Sequence, residues 1–215
     1  KLAKKAIAAE PREARFHELL GDVAFTQEKA PVALSYYKKA ISLQPNYFKP
    51  HLHSGIALFN IGKKKEAEPY LKRANELLPT APGHALLGQL AESRGDANLA
   101  LQHYQVAASS NSDIGKDATA RAMRIDFPRN PNKYLRSGVV ADNRGNLFAV
   151  VENSTAIAIE NVKIRVIKYD AQTGRAISQS NPLPIRGIIE AGKRGQVGVE
   201  VRIGTPEEAK LYKVA

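Results

Sequence analysis

The strongest constraint on this chain is an internal repeat with a period of 33 or 34 residues. Glycine recurs as Gly21, Gly55 and Gly88. Three further columns keep the same spacing, namely Ala33, Ala67 and Ala100, then Tyr37, Leu71 and Tyr104, then Ala40, Ala74 and Ala107. Pro45 and Pro79 close the first two copies, and Ser112 stands in that position in the third. Columns in register across three copies indicate one supersecondary unit that stacks on itself as a solenoid.

The composition of the columns indicates that each unit is a pair of closely crossing helices. Small residues let two backbones approach, and a bulky residue fills the space beside them. Proline ends the second helix because it lacks an N–H group and disfavours helix in the residue before it. Since an isolated amphipathic pair cannot bury its apolar face, neighbouring pairs must share one core.

These columns resemble the tetratricopeptide-repeat (TPR) family, in which each repeat consists of a helix A and a helix B. The match covers about residues 11–112, as repeats at about 14–47, 48–80 and 81–112. Pro11 lies 34 residues before Pro45, so we expect residues 1–10 to end a preceding repeat and the chain to be the C-terminal portion of something longer. The resemblance implies an all-α solenoid that binds another polypeptide.

A capping helix and a linker are predicted after the third repeat. Residues 113–125 carry apolar side chains at helical spacing, and Ser112 or Asp113 can cap the N-terminus. The predicted apolar face consists of Ile114, Ala118, Ala122 and Ile125. Residues 1–125 are therefore predicted to form the solenoid domain, and the proline-containing residues 126–134 a linker.

Residues 135–215 show the period of two that is typical of β-strands. The clearest case is the alternation of Val197, Val199, Val201 and Ile203 with Gly198, Glu200 and Arg202. Six or seven short strands predict a small antiparallel, immunoglobulin-like β-sandwich, so the chain as a whole is predicted to be an α+β protein of two domains.

A short motif in this second region resembles the FxLYD-type sandwich domains of bacterial envelope proteins. It consists of residues 150–154, with Asn153 after a strand, then residues 159–164, and then Tyr169-Asp170. The resemblance implies a structural or adhesive domain and a periplasmic or envelope location. A cytoplasmic location stays open.

Composition excludes several classes of site and partner. The chain has no cysteine, which removes disulfides, thiolate metal sites and thiol nucleophiles. No apolar run approaches the roughly 18 residues of a membrane helix. The net charge of +11 divides into +6 for residues 1–125 and +5 for the remainder, and the only tight basic run, at 63–65, falls on an expected turn. An acidic protein or an anionic surface is therefore favoured over nucleic acid.

Three histidines, His17, His51 and His84, share one column of the repeat. Packed helices lie about 8–10 Å apart, whereas a zinc–nitrogen bond is about 2.0–2.1 Å, so one ion cannot join all three. We interpret them as packing residues and expect His53 and His103 at the surface. Since there is also no Gly-x-Ser-x-Gly elbow and no phosphate-binding loop, no catalytic, cofactor or metal site is predicted.

The TPR resemblance implies that the A helices line a groove for an extended or helical peptide. By column position, the groove residues would be Arg15, Glu18, Asp22, Phe25, Lys49, Leu52, Ile56, Phe59, Asn60, Ala85, Gln89 and Glu92. The apolar patch of Leu52, Ile56 and Phe59 favours an apolar peptide anchor, although it could instead pack against the next repeat or the second domain. The family's clamp for chaperone tails needs Lys, Asn and Arg at columns where this chain has acidic and aliphatic residues.

Two functional hypotheses follow from these patterns. The first is a non-enzymatic scaffold that binds a protein or peptide in a bacterial envelope assembly, with homo-oligomerisation left open. The second is a substrate-recruiting or regulatory C-terminal part of a TPR-containing zinc metallopeptidase. The His-Glu-x-x-His motif of such enzymes is absent from this sequence, so its catalytic domain would lie elsewhere.

Overall fold

The computed structural model describes residues 10–215 and divides them into two compact units. The helical unit ends at Ile125, and the strand unit comprises residues 126–215. The preceding repeat that the sequence predicts over residues 1–10 falls almost wholly outside the described residues. In the described part of the chain, no helix is both long and apolar enough to cross a membrane.

Among the described residues, the helical unit contains three A–B helix pairs and a final helix. The A helices are α1 (Ala14–Thr26), α3 (Phe48–Asn60) and α5 (Ala81–Ser93), and the B helices are α2 (Ala30–Leu43), α4 (Lys64–Leu77) and α6 (Ala97–Ala108). The A–B turns need one residue at positive φ, which Gly62 and Gly95 supply at +80° and +79°. In the first repeat Glu28 adopts this conformation at φ +60°.

The three glycines lie where the A and B helices of each repeat cross. A Cβ atom on Gly21 would lie 2.3 Å from Cε1 of Tyr37, and one on Gly55 would lie 2.5 Å from Cδ2 of Leu71. Every residue of the two alanine columns and of the bulky column is fully buried. The sequence columns are thus the contact surfaces of the helix pairs.

Successive repeats pack mainly through the B helix of one repeat and the A helix of the next, α2 on α3 and α4 on α5, and neighbouring A helices also touch each other. Helix α3 contacts both α1 and α5, whereas contacts between successive B helices are fewer. The A helices therefore lie on the inner side of the stack. One core cluster spans the second and third repeats, where Leu52 and Leu71 pack with Leu87 and Leu90.

The final helix α7 (Asp113–Asp126) packs its small residues on the third repeat. Ala118 and Ala122 are buried in the same core as Tyr104. Ser112 is the N-cap, because its hydroxyl accepts a hydrogen bond from the amide of Gly115 at 3.2 Å. The helix thus covers the third repeat with this face, and Ile114, which is 40% exposed, does not belong to it.

The strand unit contains ten short strands among the described residues. They are β1 (Leu135–Ala141), β2 (Asn146–Asn153), β3 (Ile159–Glu160), β4 (Lys163–Ile164), β5 (Val166–Tyr169), β6 (Ala176–Gln179), β7 (Leu183–Pro184), β8 (Ile188–Ile189), β9 (Arg194–Arg202) and β10 (Tyr212–Val214). Antiparallel pairing gives two three-stranded sheets, β1-β2-β9 and β10-β5-β6, and two ribbons, β3-β8 and β4-β7. Because the sheets are small and unclosed, the immunoglobulin-like sandwich stays a prediction.

The core of the strand unit is anchored by a fully buried polar residue, Asn153. Its Nδ2 donates hydrogen bonds to the carbonyls of Ile157 (2.7 Å) and Ile189 (2.9 Å), and its Oδ1 accepts from the amide and hydroxyl of Thr155 at 2.9 and 2.7 Å. The side chain ties the end of β2 to the following loop and to β8. Every hydrogen-bonding atom of the amide group has a partner, as burial requires.

The segment predicted as a linker is instead an ordered hydrogen-bonded turn. Residues 131–133 form a short 3-10 helix, and the buried Asp126 carboxylate accepts hydrogen bonds from Asn130, Lys133 and Tyr134 at 2.5–2.7 Å. The hydrogen bonds from Lys133, Tyr134 and Asn130 lower the pKa of Asp126 to about 2. The donors lie four, seven and eight residues beyond the carboxylate, so the turn is built from local contacts.

Candidate partner-binding groove

The residues predicted to line the groove divide into three classes by exposure. The exposed ones are Arg15, Lys49, Asn60 and Glu92. The half-buried ones are Asp22, Phe25, Ile56, Phe59 and Gln89. The buried ones are Glu18, Leu52 and Ala85. Their assignment to a partner-binding surface stays a prediction, and the first two classes are the ones that a partner could touch.

Leu52 and Ala85 belong to the core of the helical unit. Leu52 is 7% exposed and packs with Leu87 and Leu90 of the next repeat, while Ala85 is buried against the third repeat and α7. The apolar patch was expected either to anchor a peptide or to pack within the protein, and Leu52 packs on the next repeat. The apolar surface left to a partner is that of Ile56 and Phe59, and the Lys64 ammonium lies 5.6 Å from the centre of the Phe59 ring.

A cavity of about 340 Å³ opens between the first and second A helices. It is lined by Asp22, Phe25, Thr26, Tyr37, His53 and Ile56. Asp22, Phe25 and Ile56 are among the predicted groove residues. The wall therefore combines apolar, aromatic and acidic side chains on the inner side of the stack.

Beside the cavity lies a group of five side chains, here named the polar cluster, which consists of Glu18, Asp22, Tyr37, Tyr47 and His53. The Tyr37 hydroxyl donates a hydrogen bond to Oδ1 of Asp22 at 2.8 Å, and the Tyr47 hydroxyl donates to Oε2 of Glu18 at 2.9 Å. His53 Nδ1 lies 2.7 Å from Oδ1 of Asp22 and 3.7 Å from Oε1 of Glu18. Two carboxylates and an imidazole thus converge, and each carboxylate is held by a tyrosine.

The environment of the polar cluster shifts the pKa values of three of its groups. Burial and the hydrogen bond to Asp22 raise the pKa of Tyr37, and burial and the hydrogen bond to Glu18 raise the pKa of Tyr47 to about 12. Burial by itself raises the pKa of Asp22, but the opposing effects of His53 and Tyr37 outweigh it and leave that pKa below its ordinary value. At neutral pH both tyrosines are hydrogen-bond donors and Asp22 is charged.

The polar cluster departs from the repeat pattern. In the other repeats, the column of Glu18 holds Leu52 and Ala85. The column of Asp22 holds Ile56 and Gln89, and that of His53 holds Leu19 and Leu86. In the third repeat, the Tyr104 hydroxyl donates instead to Glu92, at 2.6 Å, one helical turn further along the A helix. The second repeat has Leu71 in the tyrosine column. The three repeats thus share a backbone and differ in the chemistry beside each helix crossing.

The histidine column behaves as a packing column in the first two repeats. The ring nitrogen Nε2 of His17 lies 3.0 Å from the carbonyl of Pro11, and that of His51 lies 2.9 Å from the carbonyl of Pro45. In the third repeat, Nδ1 of His84 instead lies 3.0 Å from Nδ1 of His103.

The surface positions predicted for His53 and His103 are wrong, because both rings are half-buried against specific partners. No repeat column marks either residue, so the column analysis could not find them. The signal that could have found His53 is its place on an A helix that packs beside the A helix of Glu18 and Asp22.

Comparisons with known proteins agree with this geometry. A tetratricopeptide-repeat family model matches residues 1–48. Two uncharacterized TPR repeat-containing proteins of Arabidopsis thaliana are each 32% identical over 120 residues, which is 50% of this chain. The chain spans about 15% of the length of these curated relatives.

Solved structures also resemble the helical unit. The crystal structure of YrrB, described as a TPR protein with an unusual peptide-binding site, matches with a TM-score of 0.57 and 18% identity over 62% of this chain and 69% of that one. A thermophilic TPR protein of Thermus thermophilus matches with a TM-score of 0.46 and 26% identity over 57% of this chain and 69% of the other. The repeat columns, the family model and the likeness to YrrB together support a TPR-like solenoid fold for the helical unit.

Proposed function

We propose that this TPR repeat protein is a scaffold that binds a partner polypeptide on the inner face of its A helices. The observation that carries the proposal is the uncovered surface around the 340 Å³ cavity, where the half-buried Phe25 and Ile56 adjoin the charged Asp22. Peptide sites combine apolar anchors with a few polar groups that fix orientation. The likeness of the fold to YrrB, a TPR protein with an unusual peptide-binding site, supports the same use of the surface.

The exposed residues define where a partner would run. Arg15 and Lys49 occupy the same column of successive A helices, and Asn60 lies at the C-terminal end of the second one. Asp22 and Glu92 place carboxylates on the first and third A helices. A peptide that crosses the A helices would meet apolar side chains near the cavity and charges of both signs beyond them. Such a rim favours a partner with a defined register rather than a purely apolar one.

A photo-crosslinking experiment tests the proposal without disturbing the core. A photoreactive amino acid is introduced at Arg15 or Asn60 on the A helices and, as matched controls, at Lys38 or Gln105, which are exposed on the B helices. After irradiation in cells of the source organism, adducts are resolved by mass and identified. We expect one discrete partner from the A-helix positions and background from the B-helix positions. Equal adducts from both faces, or none from the A helices, would refute the proposal.

A substitution that introduces a charge, such as Leu52→Asp, is unsuitable for such a test. Leu52 lies in the core that joins the second and third repeats, so an aspartate there would unfold the unit and abolish any binding indirectly. Phe59 is half-buried against the same core and carries part of this risk. The exposed positions avoid it because their side chains contribute little to packing.

We also propose a small antiparallel sandwich for the strand unit and an envelope location for the chain. The alternation of buried and exposed residues along β2 and the inward-facing Asn153 support the sandwich.

The resemblance of residues 150–170 to envelope domains supports the envelope location. Fractionation of the native organism, with immunodetection of the chain in periplasm, membrane and cytosol, tests the location. The metallopeptidase alternative rests on resemblance alone and is tested by the sequence upstream of Lys1 in the gene.

A further inference from the structure

We propose that Glu18, Asp22 and His53 form a binding site for a divalent transition-metal ion of the zinc type. One potential ligand atom from each residue lies within 4.8 Å of the other two. A tetrahedral ion with bonds of about 2.1 Å separates its ligand atoms by about 3.4 Å. The distances of 2.7 and 3.7 Å from His53 Nδ1 to the two carboxylates bracket that separation, so small side-chain rotations would complete the site.

The surroundings of His53 Nδ1 are a second indication that a cation binds at this place. Solvent hardly reaches this atom, and among the described residues none makes a hydrogen bond of normal geometry with it, although Asp22 is close. A buried nitrogen that faces carboxylate oxygens needs a proton or a cation between them. Glu18 is itself only 8% exposed, and it accepts one tyrosine hydrogen bond, from Tyr47, so a cation at its free oxygen would offset part of the cost of burial.

The tyrosines provide the outer hydrogen bonds that metal ligands usually have. Tyr37 and Tyr47 donate to one carboxylate each, which fixes the orientation of both acids. The Tyr47 bond uses Oε2 of Glu18 and leaves Oε1 facing the imidazole. Because Asp22 and His53 also line the 340 Å³ cavity, an ion bound there would be accessible from the inner face.

The donor set points to the class of ion. Neutral imidazole suits zinc, copper, iron and nickel, whereas calcium and magnesium prefer oxygen ligands alone. One nitrogen and two carboxylate donors therefore favour Zn²⁺ over Ca²⁺. The leucines at the equivalent columns, Leu19 and Leu86, show that the fold itself does not require histidine at this position.

The test is isothermal titration of the full chain, without any histidine tag, with ZnCl₂ and separately with CaCl₂. We expect saturable binding of Zn²⁺ that His53→Leu weakens at least about tenfold, as loss of a ligand should. The matched control His103→Leu removes a half-buried histidine of the third repeat and should leave this binding unchanged. Circular dichroism should show both variants folded, since leucine occupies the His53 column in the other two repeats and the bulky Tyr36 and Tyr70 occupy the His103 column.

Two further results would decide against the site. If wild type and His53→Leu bind Zn²⁺ alike, or if only His103→Leu loses binding, the ion lies elsewhere and the proposal is wrong. Binding of Ca²⁺ as tight as that of Zn²⁺ would overturn the assigned class of ion. As a second readout, Zn²⁺ should shift the imidazole ¹⁵N resonances of His53 in the wild type, and Asp22→Asn should reduce that shift. No shift at His53 would mean that a proton, not a metal, bridges the imidazole and the carboxylates.

Discussion

The helical unit and the strand unit use buried polar groups in opposite ways. In the helical unit the shared columns are glycine, alanine and a bulky residue, and the Tyr37–Asp22 hydrogen bond is a local addition. The middle repeat shows this directly, since Leu71 occupies the same column and the crossing is unchanged. In the strand unit, the Asn153 side chain joins β2 to the following loop and to β8, and the Asp126 side chain holds the turn that follows it. Apolar periodicity thus maintains the helical unit, and particular polar residues maintain the strand unit.

The sharpest test of this contrast is Asn153→Ala. Removing a fully buried amide takes a hydrogen-bond partner from the Ile189 carbonyl, the Thr155 amide and the Ile157 carbonyl, which keeps only the Thr155 hydroxyl. We therefore expect a loss of about 4 kcal/mol of unfolding free energy. Hydrogen–deuterium exchange resolved by peptide should show faster exchange across the strand unit and unchanged exchange in the helices. The control is Asn143→Ala, at an exposed turn, with an expected effect within about 0.5 kcal/mol. Similar protection in both variants would contradict the role given to Asn153.

A smaller effect is expected from Asp126→Asn, together with a characteristic pH dependence. Loss of the charge weakens the hydrogen bonds from Lys133 and Tyr134, at a cost of about 2 kcal/mol. The pKa of Asp126 is about 2 in the folded unit against an ordinary value of 3.8. Its contribution is therefore complete above about pH 4 and is lost as the pH falls through about 2.

Urea unfolding of the strand unit, followed by tyrosine NMR signals between pH 6 and pH 2, measures this dependence. The wild type should lose stability over the lower part of the range, and Asp126→Asn should lose less because it has already lost the charge. Parallel curves for the two proteins would show that Asp126 does not carry the acid sensitivity of the unit.

The smallest effect is expected in the helical unit, from Tyr37→Phe. The ring remains in place and only the hydrogen bond to the partly exposed Asp22 is lost, so we expect a cost of about 1 kcal/mol. Thermal unfolding followed by helical circular dichroism measures it. Tyr36→Phe on the same helix is the matched control and should be neutral. A loss from Tyr37→Phe as large as that from Asn153→Ala would remove the distinction between the two units.

The same contrast explains what could be predicted from the sequence. Gly21, Ala33 and Tyr37 recur at a fixed period, so their burial and the helix pairing follow from the pattern. The alternation in β2 and β9 is likewise visible, and both strands are present. The two-residue ribbons could not be predicted, because β3 pairs with β8 across almost thirty residues and neither has a periodic pattern of its own.

The candidate site was only partly predictable for a related reason. Asp22, Phe25 and Ile56 occupy family columns and could be proposed from the sequence, whereas His53 could not, because its importance lies in its neighbours on another helix. Leu52 was assigned to the groove by column, but its contacts with Leu87 and Leu90 bury it. A repeat column shows which face of its own helix a residue lies on. It does not show whether side chains of the next repeat are long enough to bury that residue. The turn at Asp126 had a local signal in its spacing of four, seven and eight residues, which its two prolines obscured.

The common backbone at the three glycine crossings has a consequence for how such an array can change. Because each crossing accepts either a tyrosine with an acid or a leucine without one, a unit of 33 or 34 residues behaves as an interchangeable cassette. Exchanging one cassette for another would keep the glycine crossings in register, and it would change both the chemistry of the inner face and the contacts between repeats, such as those of Leu52 with Leu87 and Leu90. An insertion of any other length would shift the glycines away from their bulky partners. The array is thus tolerant of substitution by whole units and intolerant of small changes in length.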